Sequence, residues 1–124
     1  MSCRGIRGAT SVDANDASAI MAATRELLER IVTANGLAVE ELASVIFTVT
    51  SDLDAAYPAR AAREMGWVST PLLCMQDMAV EDSLSRCIRV LLHWNTDRPP
   101  DEIRHVYLGT ARALRPDLVE EEET

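Results

Sequence analysis

Arg89 lies inside "RCIRVLLHWN", residues 86–95, a run that otherwise reads as a buried β-strand. A guanidinium cannot shed its proton to escape burial, so it needs a fixed anion. That anion is either an acidic side chain or a ligand carboxylate held bidentately. Arg7 raises a related question. In an extended chain it shares a face with Gly5 and Ala9. Small neighbours leave room for a molecule on that face, or they mark close strand packing. Arg60 and Arg63 are three apart and share one helix face, where they could grip a carboxylate or simply meet solvent. Asp77 could accept a hydrogen bond from a hydroxyl or pair with an arginine. Tyr107, in "RHVYL", reads as a core aromatic with a satisfied hydroxyl. Several arginines could thus converge on a small polyanion.

Other chemistries lack their residues. Phosphate loops, dinucleotide fingerprints and zinc-protease motifs are absent. No local signature pairs a serine or cysteine nucleophile with a histidine. Cys3, Cys74 and Cys87 are odd in number and form no C-x-x-C, and His93 and His105 stand twelve apart. Reduced, buried thiols are expected rather than a disulfide framework, and no metal site. All twelve basic residues are arginine, against twenty acidic ones, for a net charge of -8. That balance argues against nucleic-acid binding. No apolar run approaches the ~18 residues of a membrane span, and "MSCRGIRGAT" holds no apolar secretory core. A cytoplasmic protein is expected.

The elements that must place these residues follow from pattern. Residues 3–12 read as a first strand. "DANDASAIMAATRELLERIVTANG" reads as a helix with Asn15 or Asp16 as cap and Gly36 as stop. Its Ile20, Leu27, Leu28 and Ile31 form one apolar stripe. "VEEL" suggests a helical turn and "SVIFTVT" a second strand. "YPARAAREMG" reads as a second helix, with Pro58 at its first position. "PLLCMQDM" suggests a short strand, "RCIRVLLHWN" a long one, and "IRHVYL" a last one. "TDRPPDE" reads as a loop between them. "GTARALRPD" is a short helix or an extended tail.

In the long strand, Ile88, Val90, Leu92 and Trp94 make a wholly apolar face. Cys87, Arg89, Leu91, His93 and Asn95 make a semi-polar one. The order β-α-β-α-β-β-β predicts an α+β fold: one domain over residues 1–124, with a single mixed sheet and helices on one face. The uncovered face predicts a homo-oligomer.

Taken together, "RGIRGAT", "MQDM", "CIRVLLHWNTD", "IRHVYL" and "LRPDL" occur in an order and at separations that resemble the bacterial monofunctional chorismate mutases of the AroH type. The likeness runs over residues 3–118. It implies a trimer whose sheets pack round the threefold axis as a pseudo-α/β-barrel core, with active sites in clefts between subunits. It implies the Claisen rearrangement of chorismate to prephenate, on the route to phenylalanine and tyrosine, without cofactor or metal.

By this resemblance Arg89 stabilises the breaking ether oxygen and binds the side-chain carboxylate, lacking a permanent protein partner because its partner is the substrate. Arg7 and Tyr107 grip the same carboxylate. Asp77 stands where the family usually has glutamate, which bonds the ring hydroxyl. Leu73, Cys74, Met75 and Gln76 match the pocket lining, and threonine is common in the family where Leu73 stands. Tyr57, Arg60 and Arg63 match a patch near the cleft mouth, with Arg60 replacing a common lysine. Leu114 and Arg115 match a mobile cover, and residues 116–124 form a flexible acidic tail. The competing reading is a non-catalytic trimeric module that binds small carboxylates, favoured only by the aspartate at position 77.

Overall fold

A computed structural model describes residues 2–114 of the chain. Arg115 and the acidic tail lie outside the described residues. Five strands form one sheet: β1 (Cys3–Ser11), β2 (Leu42–Val49), β3 (Leu72–Gln76), β4 (Cys87–Asn95) and β5 (Val106–Tyr107). The spatial order is β3-β2-β4-β1-β5. β4 runs antiparallel to both neighbours, whereas β2–β3 and β1–β5 are parallel. The strand holding Arg89 is therefore the central one, paired along both edges. No helix among the described residues is long and apolar enough to cross a membrane.

Both helices cover one face of this sheet. α1 (Ala17–Asn35) is capped by Asp16, whose carboxylate accepts from the Ala19 amide at 3.1 Å. Asn15 is not the cap. Its side chain instead bonds Asp54 and the Ala55 amide, tying the helix start to the loop before α2 (Pro58–Glu64). Gly36 ends α1 at φ 61°, the left-handed turn that glycine adopts without strain.

Leu27, Leu28 and Ile31 of α1, with Ala59 and Ala62 of α2, pack on Ile6, Val45, Phe47, Val90 and Leu92 of the strands. Ile88, Val90, Leu92 and Trp94 are all buried, as alternation predicts. Burying aliphatic side chains of this size contributes about 1.5–3 kcal/mol each. Gly8 faces α1: a Cβ there would lie 2.8 Å from Ile31 Cδ1. Close packing thus explains Gly8.

The last expected strand shrinks to Val106–Tyr107, because the Asn35 side chain takes both the amide and the carbonyl of Arg104 and keeps them out of the ladder; a 3-10 turn (Pro100–Glu102) lies in the loop before it. Beyond β5, a 3-10 turn (Gly109–Ala113) folds back over the end of β1. There Ala111 and the half-buried Leu84 and Leu114 pack with Ala9, Cys87 and Tyr107 on the helix-free face. The rest of that face has no cover among the described residues.

Candidate active site

The sheet register assembles the site. Direct partners across strands point to the same face. One rung crosses all five strands: Met75, Thr48, Arg89, Ala9 and Tyr107. The next contains Leu73, Ile46, Leu91 and Arg7. Residues far apart in sequence become neighbours on the helix-free face. A cavity of about 330 Å³ opens there, lined by Arg7, Ala9, Thr48, Asp77, Arg89 and Tyr107, with Met75, Leu91 and Leu114 at its apolar parts. Ala9 lies between Arg89 and Tyr107, and its single methyl leaves the space between them open.

Arg89 Nε lies 2.9 Å from Asp77 Oδ2, and the two side chains are 35% and 19% exposed. This corrects the expectation that Arg89 lacks a protein partner. A half-buried guanidinium needs an anion, and in this structure Asp77 supplies it. The contact is one of charge rather than a well-aimed hydrogen bond, because Nε remains without an aligned acceptor. Asp77 follows β3 directly, and its amide donates to Val49 O at 2.7 Å, fixing where the carboxylate begins.

Two further polar atoms in the cavity wall are buried without a partner among the described residues: Thr48 Oγ1 and the Tyr107 hydroxyl. Tyr107 is buried as expected, but its hydroxyl is not satisfied. Orphaned buried polar groups are uncommon, and among the described residues all but Thr24 Oγ1 of α1 collect at this one cavity. Cys87 also lies beside Arg89. Burial pushes its thiol up, and the nearby guanidinium only partly opposes this. A thiol so placed is a poor nucleophile.

The other sequence-derived candidates divide. Tyr57, Arg60, Cys74, Met75 and Gln76 line a second cavity of about 490 Å³ at the edge formed by β3 and α2. Met75 belongs to both cavities. Tyr57 is 72% exposed, and Arg60 donates to Glu64 at 3.2 Å across one helix turn. Arg63 and Leu73 are exposed and line neither cavity. Within one chain, therefore, Arg60 and Arg63 do not join Arg7 and Arg89.

Thr48, Ile46 and Leu91 were missed as site residues. Alternation in "SVIFTVT" separates Ile46 and Thr48 from the core face, but only pairing with β4 puts them beside Arg89. His105 was missed too: its Nδ1 accepts from the Arg7 amide at 2.9 Å, extending the short β1–β5 ladder through a side chain.

Fold and site together define a class: a small α+β protein whose single sheet carries, on its helix-free face, a cavity lined by two arginines, an aspartate and a tyrosine. Comparison with known proteins agrees. The family model for chorismate mutase type I matches residues 3–118. The chain is 56% identical over 116 residues to chorismate mutase AroH of Thermus thermophilus, covering 93% of this chain and 95% of that protein. It is 45% identical over 119 residues to chorismate mutase AroH of Bacillus subtilis (strain 168), covering 95% and 94%. A solved chorismate mutase from Clostridium thermocellum superposes with a TM-score of 0.87 at 52% identity, over 89% of this chain and 98% of that one. The chain belongs to the chorismate mutase type I family.

Proposed function

We propose that the cavity on the helix-free face performs the rearrangement of chorismate to prephenate by holding the substrate in its reactive conformer and placing Arg89 at the breaking ether oxygen. As a member of its family the chain is a chorismate mutase, an isomerase acting on the path to aromatic amino acids. A pericyclic step moves no proton and needs no nucleophile. The protein contributes by restraint and by charge placed where charge develops. Negative charge grows on the ether oxygen as its bond to carbon breaks, and a fixed guanidinium favours that state over the ground state. Arg7 and Tyr107 bind the side-chain carboxylate, and Asp77 accepts from the ring hydroxyl.

The observation that carries this reading is the cluster of unsatisfied polar atoms, Arg89 Nε and the Tyr107 hydroxyl, around one cavity beside Arg7. A dicarboxylate with an ether oxygen and a hydroxyl supplies an acceptor for the Tyr107 hydroxyl and for the terminal N–H groups of Arg89, and a donor for Asp77.

The site is completed by a neighbouring copy in a homotrimer. Arg60, Arg63, Tyr57, Leu73, Cys74 and Gln76 of one subunit close the cavity of the next, and Leu114 covers it. The uncovered sheet face supports this, with Leu73 55% and Met75 46% exposed upon it. Cys3, Cys74 and Cys87 are all free thiols, which suits a reducing cytoplasm. The whole chain acts as one domain.

The experiment is direct. Purified protein is mixed with chorismate, and loss of chorismate and gain of prephenate are followed. Turnover is expected, and a rate no higher than the uncatalysed background overturns the reading in favour of a carboxylate-binding module.

A further inference from the structure

We propose that Thr48 is a positioning residue for the rearrangement: its hydroxyl takes the Nε–H of Arg89 when substrate binds. The inference rests on the reading of the cavity given above and adds a residue to it. Thr48 and Arg89 are direct partners across β2 and β4. Side chains so placed share a face, with Cβ atoms about 4.5–5.5 Å apart. Each carries a buried polar atom without a hydrogen-bond partner: Oγ1 of Thr48 and Nε of Arg89. The two are complementary, since a guanidinium N–H can only donate and a hydroxyl oxygen can accept.

In this structure Arg89 is drawn toward Asp77, with Nε 2.9 Å from Oδ2 but poorly aimed. A bound dianion competes for that guanidinium. Its carboxylate and ether oxygen take the terminal N–H groups of the fork. Nε–H then needs an acceptor out of the substrate's way, and the hydroxyl on the opposite strand provides one. The exchange satisfies two groups whose unpaired burial is costly. It also releases the Asp77 carboxylate for the substrate's ring hydroxyl. Stabilisation of a developing oxyanion depends on donors fixed in advance, so a tether on Nε acts on the chemical step.

The test compares Thr48→Val, which removes the hydroxyl at constant shape, with Thr48→Ser, which keeps it. Steady-state turnover of chorismate and thermal melting are measured for both and for the parent protein. Thr48→Val is expected to lower kcat about tenfold with KM within about twofold. Its melting temperature stays level or rises, because an orphaned hydroxyl has been removed. Thr48→Ser is expected to stay within about twofold of the parent in kcat. Thr48→Ala carries the same expectation for kcat as valine and serves where valine packs badly.

Unchanged kcat in the valine and alanine variants overturns the inference. So does a loss confined to KM, a loss shared equally by serine, or a loss that follows a fall in melting temperature. Absence of turnover by the parent protein is a separate outcome, which overturns the proposed function and this inference with it.

Discussion

Asp77 Oδ2 sits 2.9 Å from Arg89 Nε, joining the end of β3 to the centre of β4 across the mouth of the cavity. The pair gives the guanidinium at the centre of β4 its anion. In the proposed mechanism Asp77 meets two demands: pairing with Arg89 and accepting from a substrate hydroxyl. A shorter carboxylate meets the first readily and the second with less reach. Asp77→Glu is therefore expected to keep or raise kcat/KM, while Asp77→Asn lowers it by roughly ten- to a hundredfold through loss of a charged acceptor. Steady-state rates with chorismate decide both.

In the proposed mechanism Arg89 carries the electrostatic work. Replacing it by glutamine should lower kcat by roughly a hundredfold or more, as loss of an oxyanion-type donor does. Lysine should restore little, because an ammonium lacks the planar fork. If glutamine altered only the melting temperature and left kcat intact, Arg89 would be a structural ion-pair residue and nothing more.

The proposed division of the site between subunits predicts complementation. On that proposal Arg89→Gln and Arg63→Ala damage opposite halves of each cleft. Mixed assemblies formed by co-expression then contain some clefts with both halves intact. Such mixtures should recover up to roughly a quarter of the parental rate above either variant alone, and light scattering should report a trimer. A monomer in solution, or no recovery, would remove the shared-site proposal.

Asp52 predicts a pH dependence of stability. Its carboxylate accepts from the Thr50 hydroxyl and from the Arg86 amide, at 3.1 and 3.0 Å to its two oxygens, where Arg86 turns into β4 with φ 47°. The Thr50 hydroxyl, more than any other contact, holds this carboxyl below its ordinary range. A depressed folded value means stability fully present above the unfolded value, about 3.9, and lost as pH falls through the folded one. Melting temperature should thus drop below about pH 4. Asp52→Asn should be less stable at pH 7 and show a flatter acid limb.

Gly8→Ala tests the packing of α1 on the sheet. The added Cβ meets Ile31 Cδ1 at 2.8 Å and Leu27 Cδ1 at 3.3 Å, with Val90 Cγ1 at 3.2 Å beneath. Overpacking of this kind costs about 1–3 kcal/mol, measurable by chemical denaturation.

Much of this architecture was legible before any coordinates. Alternation in "CIRVLLHWN" separated the core face from the face of Arg89, and spacing gave the stripe of α1 that covers the core. Both patterns are local, fixed by the periods of strand and helix. Errors came where competition between groups decides. Asn15 and Asp16 were equal as caps until Asp54 engaged Asn15. Six residues suggested a last strand, but Asn35 claims the backbone groups of Arg104 and two residues remain.

By itself the amino-acid sequence determined the single sheet with one helical side, the excess of acid over base, and the arginines that a family likeness joins to one reaction. It could not say that Thr48 lies opposite Arg89, that Ala9 separates Arg89 from Tyr107, or that Asp77 closes on Arg89 in the free protein. Those are facts of register. A strand's side chains repeat every two residues, so sequence reports which face each occupies. Which residue meets which across a ladder depends on non-local pairing, and only the tertiary structure settles it.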